Sequence, residues 1–247
     1  MRIPWWWRIV FFDVDNTLVM SELAAFIACC VIINNLLRCK NVAFRFTHVT
    51  LMQRFVGCNF ETMALKLAAE HQFSFAEGEL EELVQAEVRA VIEQFNRHLD
   101  PTDGVLDLLE HFQSMTLCAF SNSAEARIRA CLKATGIDRY IKENFVFSAR
   151  NYGESKPLPR VYNEALRAIG ASAEECFAVE DSVTGVLAAR AAGICTVGYT
   201  GAYPEHEREE LRLSLLANGA NAVIDHWNEL EEALISLNSI SDEEAQS

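Results

Sequence analysis

Phe11-Phe12-Asp13-Val14-Asp15-Asn16-Thr17-Leu18-Val19 joins a short apolar run to two carboxylates, and how it is read decides the fold. Ile9 to Phe12 reads as a buried strand. Asp13 and Asp15 follow at once, with Asn16 and Thr17 behind them. In an open α/β sheet, ligands bind at the carboxyl ends of the strands, so both aspartates fall where chemistry is done. Side-chain alternation does not carry from a strand into the turn after it, so the two carboxylates are not assigned a common direction. Taken alone, the run also suits a turn or a helix cap, the ordinary use of Asp and Asn after a strand.

Ser21 to Asp100 holds almost no strand signal. Helical patterns run from Ser21 to about Leu37, from Phe60 to His71 and from Glu77 to Leu99. The third carries Leu80, Leu83, Val84, Val88, Val91, Ile92 and Phe95 at helical spacing. Glu77, Glu79, Glu81 and Glu82 sit near its start, where the helix dipole favours negative charge. Residues 21–99 therefore read as an all-helical block inserted after the first strand. Within it, Arg54-Phe55-Val56-Gly57-Cys58-Asn59 reads either as an ordinary connection between helices or as a loop that reaches the substrate.

From Pro101 strands and helices alternate. Strands are expected at Thr116–Phe120, Phe145–Phe147, Cys176–Val179, Cys195–Val197 and Ala222–Ile224. Helices are expected at Gly104–Phe112, Ala124–Thr135, Arg160–Ile169 and Val186–Ala192, with Gly136, Gly170 and Gly193 as stops. Such alternation means an α/β fold, a Rossmann-like, doubly wound parallel sheet wrapped on both faces. Residues 1–20 and 100–238 form that core, and the polar stretch 239–247 is expected to be disordered.

The chain has 247 residues, 51% of them hydrophobic, enough for one large domain or a core plus an insert. Its net charge of -14 argues against nucleic acid as a partner. It also makes an anionic substrate odd, unless local cations and a metal reverse the field at the site. None of the eight cysteines forms a CxxC pair, and Cys118, Cys176 and Cys195 lie in or beside apolar runs. They read as reduced thiols in a cytoplasmic protein. Ala24 to Leu37 is apolar but reads as too short to span a membrane, so no membrane segment is expected. Trp5-Trp6-Trp7 suits a covered sheet edge or a partner surface.

Four polar clusters lie at or near predicted strand ends: Asp13/Asp15, Ser121/Asn122, Lys156 in its loop, and Glu180/Asp181. Strand ends of one parallel sheet lie side by side, so the clusters can converge. Gathered carboxylates repel unless a cation binds them, and Asp13, Asp15, Glu180 and Asp181 make an oxygen-rich site suited to Mg²⁺. Ser121 and Asn122 offer a hydroxyl, an amide and helix N-terminal N–H groups to a phosphate. Lys156 adds positive charge. The set suits phosphoryl transfer, with Asp13 attacking phosphorus and Asp15 exchanging the proton.

This ordered set resembles the haloacid dehalogenase-like (HAD) hydrolase superfamily. Asp13-Val14-Asp15-Asn16-Thr17 matches its first motif, with Asn16 where Gly is commoner. Ser121-Asn122 matches the second, Lys156-Pro157 the third, and Val179-Glu180-Asp181-Ser182 with Gly185 the fourth. The helical insert resembles the small cap of the β-phosphoglucomutase-like branch. Within that branch, Glu180 to Gly185 and Phe55-Val56-Gly57 resemble the sugar-phosphate phosphatases, 6-phosphogluconate phosphatase-like enzymes among them.

The resemblance implies Asp13 as nucleophile and metal ligand, and Asp15 as acid/base, ligating through its carbonyl. It implies Asp181 with Glu180 as the rest of the Mg²⁺ site, and Ser121 and Lys156 as the phosphate holders, with Asn122 and Thr17 also expected to bind the phosphate. In the cap, Arg54, Gly57, Cys58 and Asn59 would set specificity. Two positions depart from the pattern: Arg160 stands where Asp is frequent, and Cys58 where a basic residue is frequent. The implied activity is a Mg²⁺-dependent phosphatase acting on a small phosphate ester, a sugar phosphate above all. A phosphomutase of the β-phosphoglucomutase type is the alternative. A dehalogenase has no use for Asp15, and a phospho-acceptor signalling domain has none for the insert. A monomer or weak homodimer is expected.

Overall fold

Ile9–Asp13 forms β1, and every one of its residues is buried. The strand is β-branched and aromatic with no alternation, the pattern of a strand covered on both faces. The computed structural model describes residues 4, 6–55 and 58–244. Thr116–Ser121 is β2, Val146–Ser148 β3, Cys176–Glu180 β4, Cys195–Tyr199 β5 and Ala222–Ile224 β6. They make one sheet in the order β3-β2-β1-β4-β5-β6, and all five pairings are parallel.

That order reverses between β1 and β4. The first half of the sheet runs outward through β2 and β3, the second through β4, β5 and β6. A reversal point leaves a crevice at the strands' carboxyl ends, because the connecting segments depart in opposite directions. Asp13 pairs with Phe120, and Phe12 with Val179. The ends of β1, β2 and β4 therefore stand level.

Phe11 and Phe12 point to opposite faces, as neighbours in a strand must. On one face Phe11 and Phe120 pack at 4.7 Å between ring centroids, and Phe120 stacks on Tyr162 at 4.8 Å. On the other, Phe12 meets Trp227 edge-on at 5.9 Å, and Tyr199 stacks on Trp227 at 4.4 Å. Trp7 packs on Phe177 of the interior strand β4, not on a sheet edge, and Trp5 lies outside the described residues.

Contacts divide the chain into two compact units: Ser21–Leu99, and the residues on either side of it. The first holds α1 (Ser21–Cys39), α2 (His48–Phe55), α3 (Phe60–Glu70) and α4 (Glu79–Arg97) and, among the described residues, no strand. The apolar helix α1 extends beyond both ends of Ala24–Leu37. At 19 residues it is long and apolar enough to cross a membrane by length and composition, which corrects the expectation that it is too short. Its apolar character has a use within the unit, because Ile33, Leu36 and Leu37 are buried and the helix packs chiefly on α4.

The other unit holds α5 (Val105–His111), α6 (Glu125–Ala134), α7 (Arg160–Ile169), α8 (Val183–Ala191), α9 (Glu205–Ala217) and α10 (Leu230–Glu244). Sequence patterning misses α2, α9 and α10. Helix α10 runs to Glu244, which corrects the expected disorder from residue 239, because no Gly or Pro interrupts it; residues 245–247 lie outside the description. All eight cysteines are free thiols; Cys118 and Cys176 are buried, while Cys195 is only half-buried.

Candidate active site

Asp13 closes β1 and Glu180 closes β4, so both carboxylates stand at the crevice. Lys156 comes in from the loop before α7 and lies between them. Its Nζ donates to Asp13 Oδ1 at 2.6 Å and to Glu180 Oε1 at 2.5 Å. All three residues are buried, Glu180 completely. Tyr162, on α7, donates its hydroxyl to the same Glu180 Oε1, while Oε2 is buried without a hydrogen-bond partner. Asp181 is buried beside them, and its Oδ2 accepts from the Tyr203 hydroxyl at 2.6 Å.

Asp15 turns to other partners. Ser121 Oγ donates to its Oδ2 at 2.7 Å and Ser123 Oγ at 3.0 Å, and the Arg127 guanidinium reaches Oδ1 at 3.4 Å. The turn that carries it closes on itself, with the Asn16 N–H donating to the Val19 carbonyl at 2.8 Å. Asn16 sits at φ 58°, a left-handed conformation that glycine adopts freely and that Asn tolerates better than other side chains. That accounts for Asn at a position where Gly is commoner.

Asn122 spends its side chain on the lysine loop: Oδ1 accepts from the Lys156 N–H at 2.9 Å, and Nδ2 donates to the Lys156 carbonyl at 3.4 Å. Thr17 is fully buried with no partner for its Oγ1, and its carbonyl accepts from Thr102 Oγ1 at 2.7 Å. The helical unit holds the remaining sites read from sequence. Arg54 pairs with Glu70 and lies 5.2 Å from the Phe55 ring centroid. Asn59 caps α3, accepting from the Thr62 N–H at 2.8 Å, and Lys66 Nζ lies 3.4 Å from Cys58 Sγ. Gly57 is outside the described residues.

Charge at the crevice is unbalanced. One oxygen each from Asp13, Glu180 and Asp181 fit within 4.8 Å of one another, and Lys156 is the ammonium that bridges two of the three. Burial drives the Asp13 carboxyl well above its ordinary pKa; Lys156 opposes this, and Glu180, Asp181 and Asp15 add to it. Burial likewise pushes Asp181 up to about 7, against the Tyr203 hydrogen bond. For Lys156 burial works against the charge, but Asp13 and Glu180 outweigh it and hold the ammonium form. Three buried carboxylate oxygens at this spacing, one residue with an orphaned oxygen, suit a hard divalent cation.

Ser123, Arg127, Tyr162 and Tyr203 are functional candidates that sequence patterning misses. Tyr162 falls on the apolar face of α7 and looks like core, and Tyr203 precedes the unread helix α9.

The sequence model of the haloacid dehalogenase-like hydrolase family matches residues 7–193. A phosphoglycolate phosphatase of Mesorhizobium japonicum is 26% identical over 92% of this chain and 96% of its own. The 6-phosphogluconate phosphatase of Escherichia coli is 26% identical over 75% of this chain and 79% of its own. Among solved structures, a haloacid dehalogenase-like protein of unknown function from Agrobacterium tumefaciens superposes with a TM-score of 0.70 at 26% identity, covering 94% of this chain and 99% of that one.

Proposed function

From the premise that this chain belongs to the haloacid dehalogenase-like hydrolase family, we propose that it is a Mg²⁺-dependent phosphatase of a small phosphorylated metabolite, of the sugar-phosphate class. The observation that carries the reading is Lys156, buried and bridging Asp13 at the end of β1 to Glu180 at the end of β4. A nucleophilic carboxylate needs its negative charge kept and its surroundings neutralised before it meets an anionic phosphate. The lysine serves both needs.

In this reading Asp13 attacks phosphorus, the ester P–O bond breaks, and Asp15 hands its proton to the departing oxygen. Asp15 then takes a proton from water as that water attacks the aspartyl-phosphate, and inorganic phosphate leaves with Asp13 restored. Asp13, Glu180 and Asp181, with Asp15 beside them, would hold Mg²⁺, which would supply charge neutralisation for the phosphoryl oxygens. Ser121 and Lys156 hold the phosphate, with Thr17 and Asn122 supporting the loops around it. In the helical unit, Arg54, Gly57, Cys58 and Asn59 select the substrate.

The phosphatase is preferred to a phosphomutase because the relatives that align with this chain over most of its length carry phosphatase names. The test is release of inorganic phosphate from a panel of sugar phosphates, sugar-acid phosphates and phosphoglycolate, with Mg²⁺ and with EDTA. Release that needs Mg²⁺ and disappears in Asp13→Asn is expected. An isomeric sugar phosphate as the product would establish the mutase instead.

A further inference from the structure

Tyr203 stands on the segment between β5 and α9, far in sequence from the four polar clusters, yet its hydroxyl donates to Asp181 Oδ2 at 2.6 Å. The segment is braced. The Tyr203 N–H donates to the Thr200 carbonyl at 3.0 Å, and Arg208 Nε donates to the Tyr203 carbonyl at 2.8 Å. A second Arg208 nitrogen donates to the Gly201 carbonyl at 3.2 Å. Gly201 is packed so closely that a Cβ there would overlap the Asp225 carbonyl and the Tyr199 ring. The phenol is thus presented by a fixed turn, not by a loose end of chain.

We propose that Tyr203 is a positioning residue of the cation site, fixing the Asp181 carboxylate so that its second oxygen joins those of Asp13 and Glu180. The inference rests on the reading of these three carboxylates as a divalent-cation site. Left alone, Asp181 has reason to leave the cluster, because it faces two like charges in a buried crevice. It can rotate away. A hydrogen-bond donor on one oxygen opposes this by setting the torsion of the carboxylate.

The kind of donor matters. Glu180 is held by an ammonium, which neutralises it and competes with a cation for its charge. A phenol is neutral, so it orients Asp181 while leaving the full charge for the metal. The two adjacent carboxylates thereby acquire different characters, Glu180 tied to Lys156 and Asp181 kept as the stronger ligand.

The experiment is Mg²⁺ binding to the full chain without substrate, by calorimetric titration and by the rise in melting temperature, for the wild type, Tyr203→Phe and Asp181→Asn. The phenylalanine variant keeps the ring and loses only the donor. Its Mg²⁺ dissociation constant is expected to rise about 10-fold or more, the usual effect of losing an outer partner of a metal ligand. Its metal-free melting temperature should stay near that of the wild type, and turnover should recover at high Mg²⁺. A dissociation constant within about twofold of the wild-type value would overturn the inference whether or not the melting temperature falls, since outer partners of true ligands act on affinity. Wild-type protein that binds no Mg²⁺, or an Asp181→Asn variant that binds it equally well, would bring down the cation reading and the role of Tyr203 with it.

Discussion

Lys156 balances two buried carboxylates at once. Its buried ammonium faces Asp13 and Glu180 from neighbouring strands. Breaking a buried ion pair by removing one partner is costly because the other charge stays buried and uncompensated. Lys156→Met, close in volume and unable to carry charge, is expected to lose about 3–5 kcal/mol of unfolding free energy without metal. Urea denaturation in EDTA measures this, and Mg²⁺ should recover part of the loss by supplying positive charge in the same crevice. Unchanged stability would mean that the lysine balances no buried charge in the crevice. Lys156 is legible only as one member of the ordered set of polar clusters, because a lysine before Pro157 in a polar loop is by itself usually solvated. Tyr162 is not, because a tyrosine on an amphipathic helix looks like core until the tertiary fold shows where its hydroxyl ends.

Among the elements, α8 shows how a helix is seated by one missing atom. Ser182 caps it, accepting from the Gly185 N–H at 3.1 Å, and that first turn lies directly against Glu180. A Cβ at Gly185 would overlap the Glu180 carboxylate. Gly185→Ala must therefore push the helix outward or turn the glutamate away from Lys156, and forcing extra atoms into a packed interior costs about 1–3 kcal/mol. Thr184→Ala, exposed one residue earlier, is the control and should change stability by less than about 0.5 kcal/mol. Denaturation midpoints for the two variants test this, with phosphate release from Gly185→Ala expected to fall further than its stability alone explains.

The same scale separates what patterning can find from what it cannot. Helix α7 is read to its exact ends because Arg160 opens a strongly amphipathic run that Gly170 stops. Helix α2 buries only Leu51 and Phe55, and α9 only Leu215, too few positions to leave a period in the sequence.

For the molecule as a whole, the parallel sheet is legible in the alternation of elements, but the strand order is not. It depends on which side each crossover takes, and that order is what sets Asp13 beside Glu180 and Asp181. The consequence is a local pH dependence set apart from the strongly acidic chain around it. Without metal, Asp13 lies well above its ordinary value of 3.8 and Asp181 at about 7. A carboxyl whose folded pKa is raised binds its proton more tightly folded than unfolded. Its contribution to stability is complete below about pH 4 and is lost as pH rises through the folded value. In EDTA, then, Asp181→Asn, which cannot ionise, should gain on the wild type as pH rises from about 5 to 8. A divalent cation needs the ionised ligands, so it reverses the trend. Mg²⁺ binding should release protons, and the stabilisation it brings should grow over the same range. Denaturation midpoints with EDTA and with Mg²⁺, taken across that range for both proteins, measure the two effects together. A Mg²⁺ stabilisation that stays flat across it would place the titrating carboxyls outside the cation site.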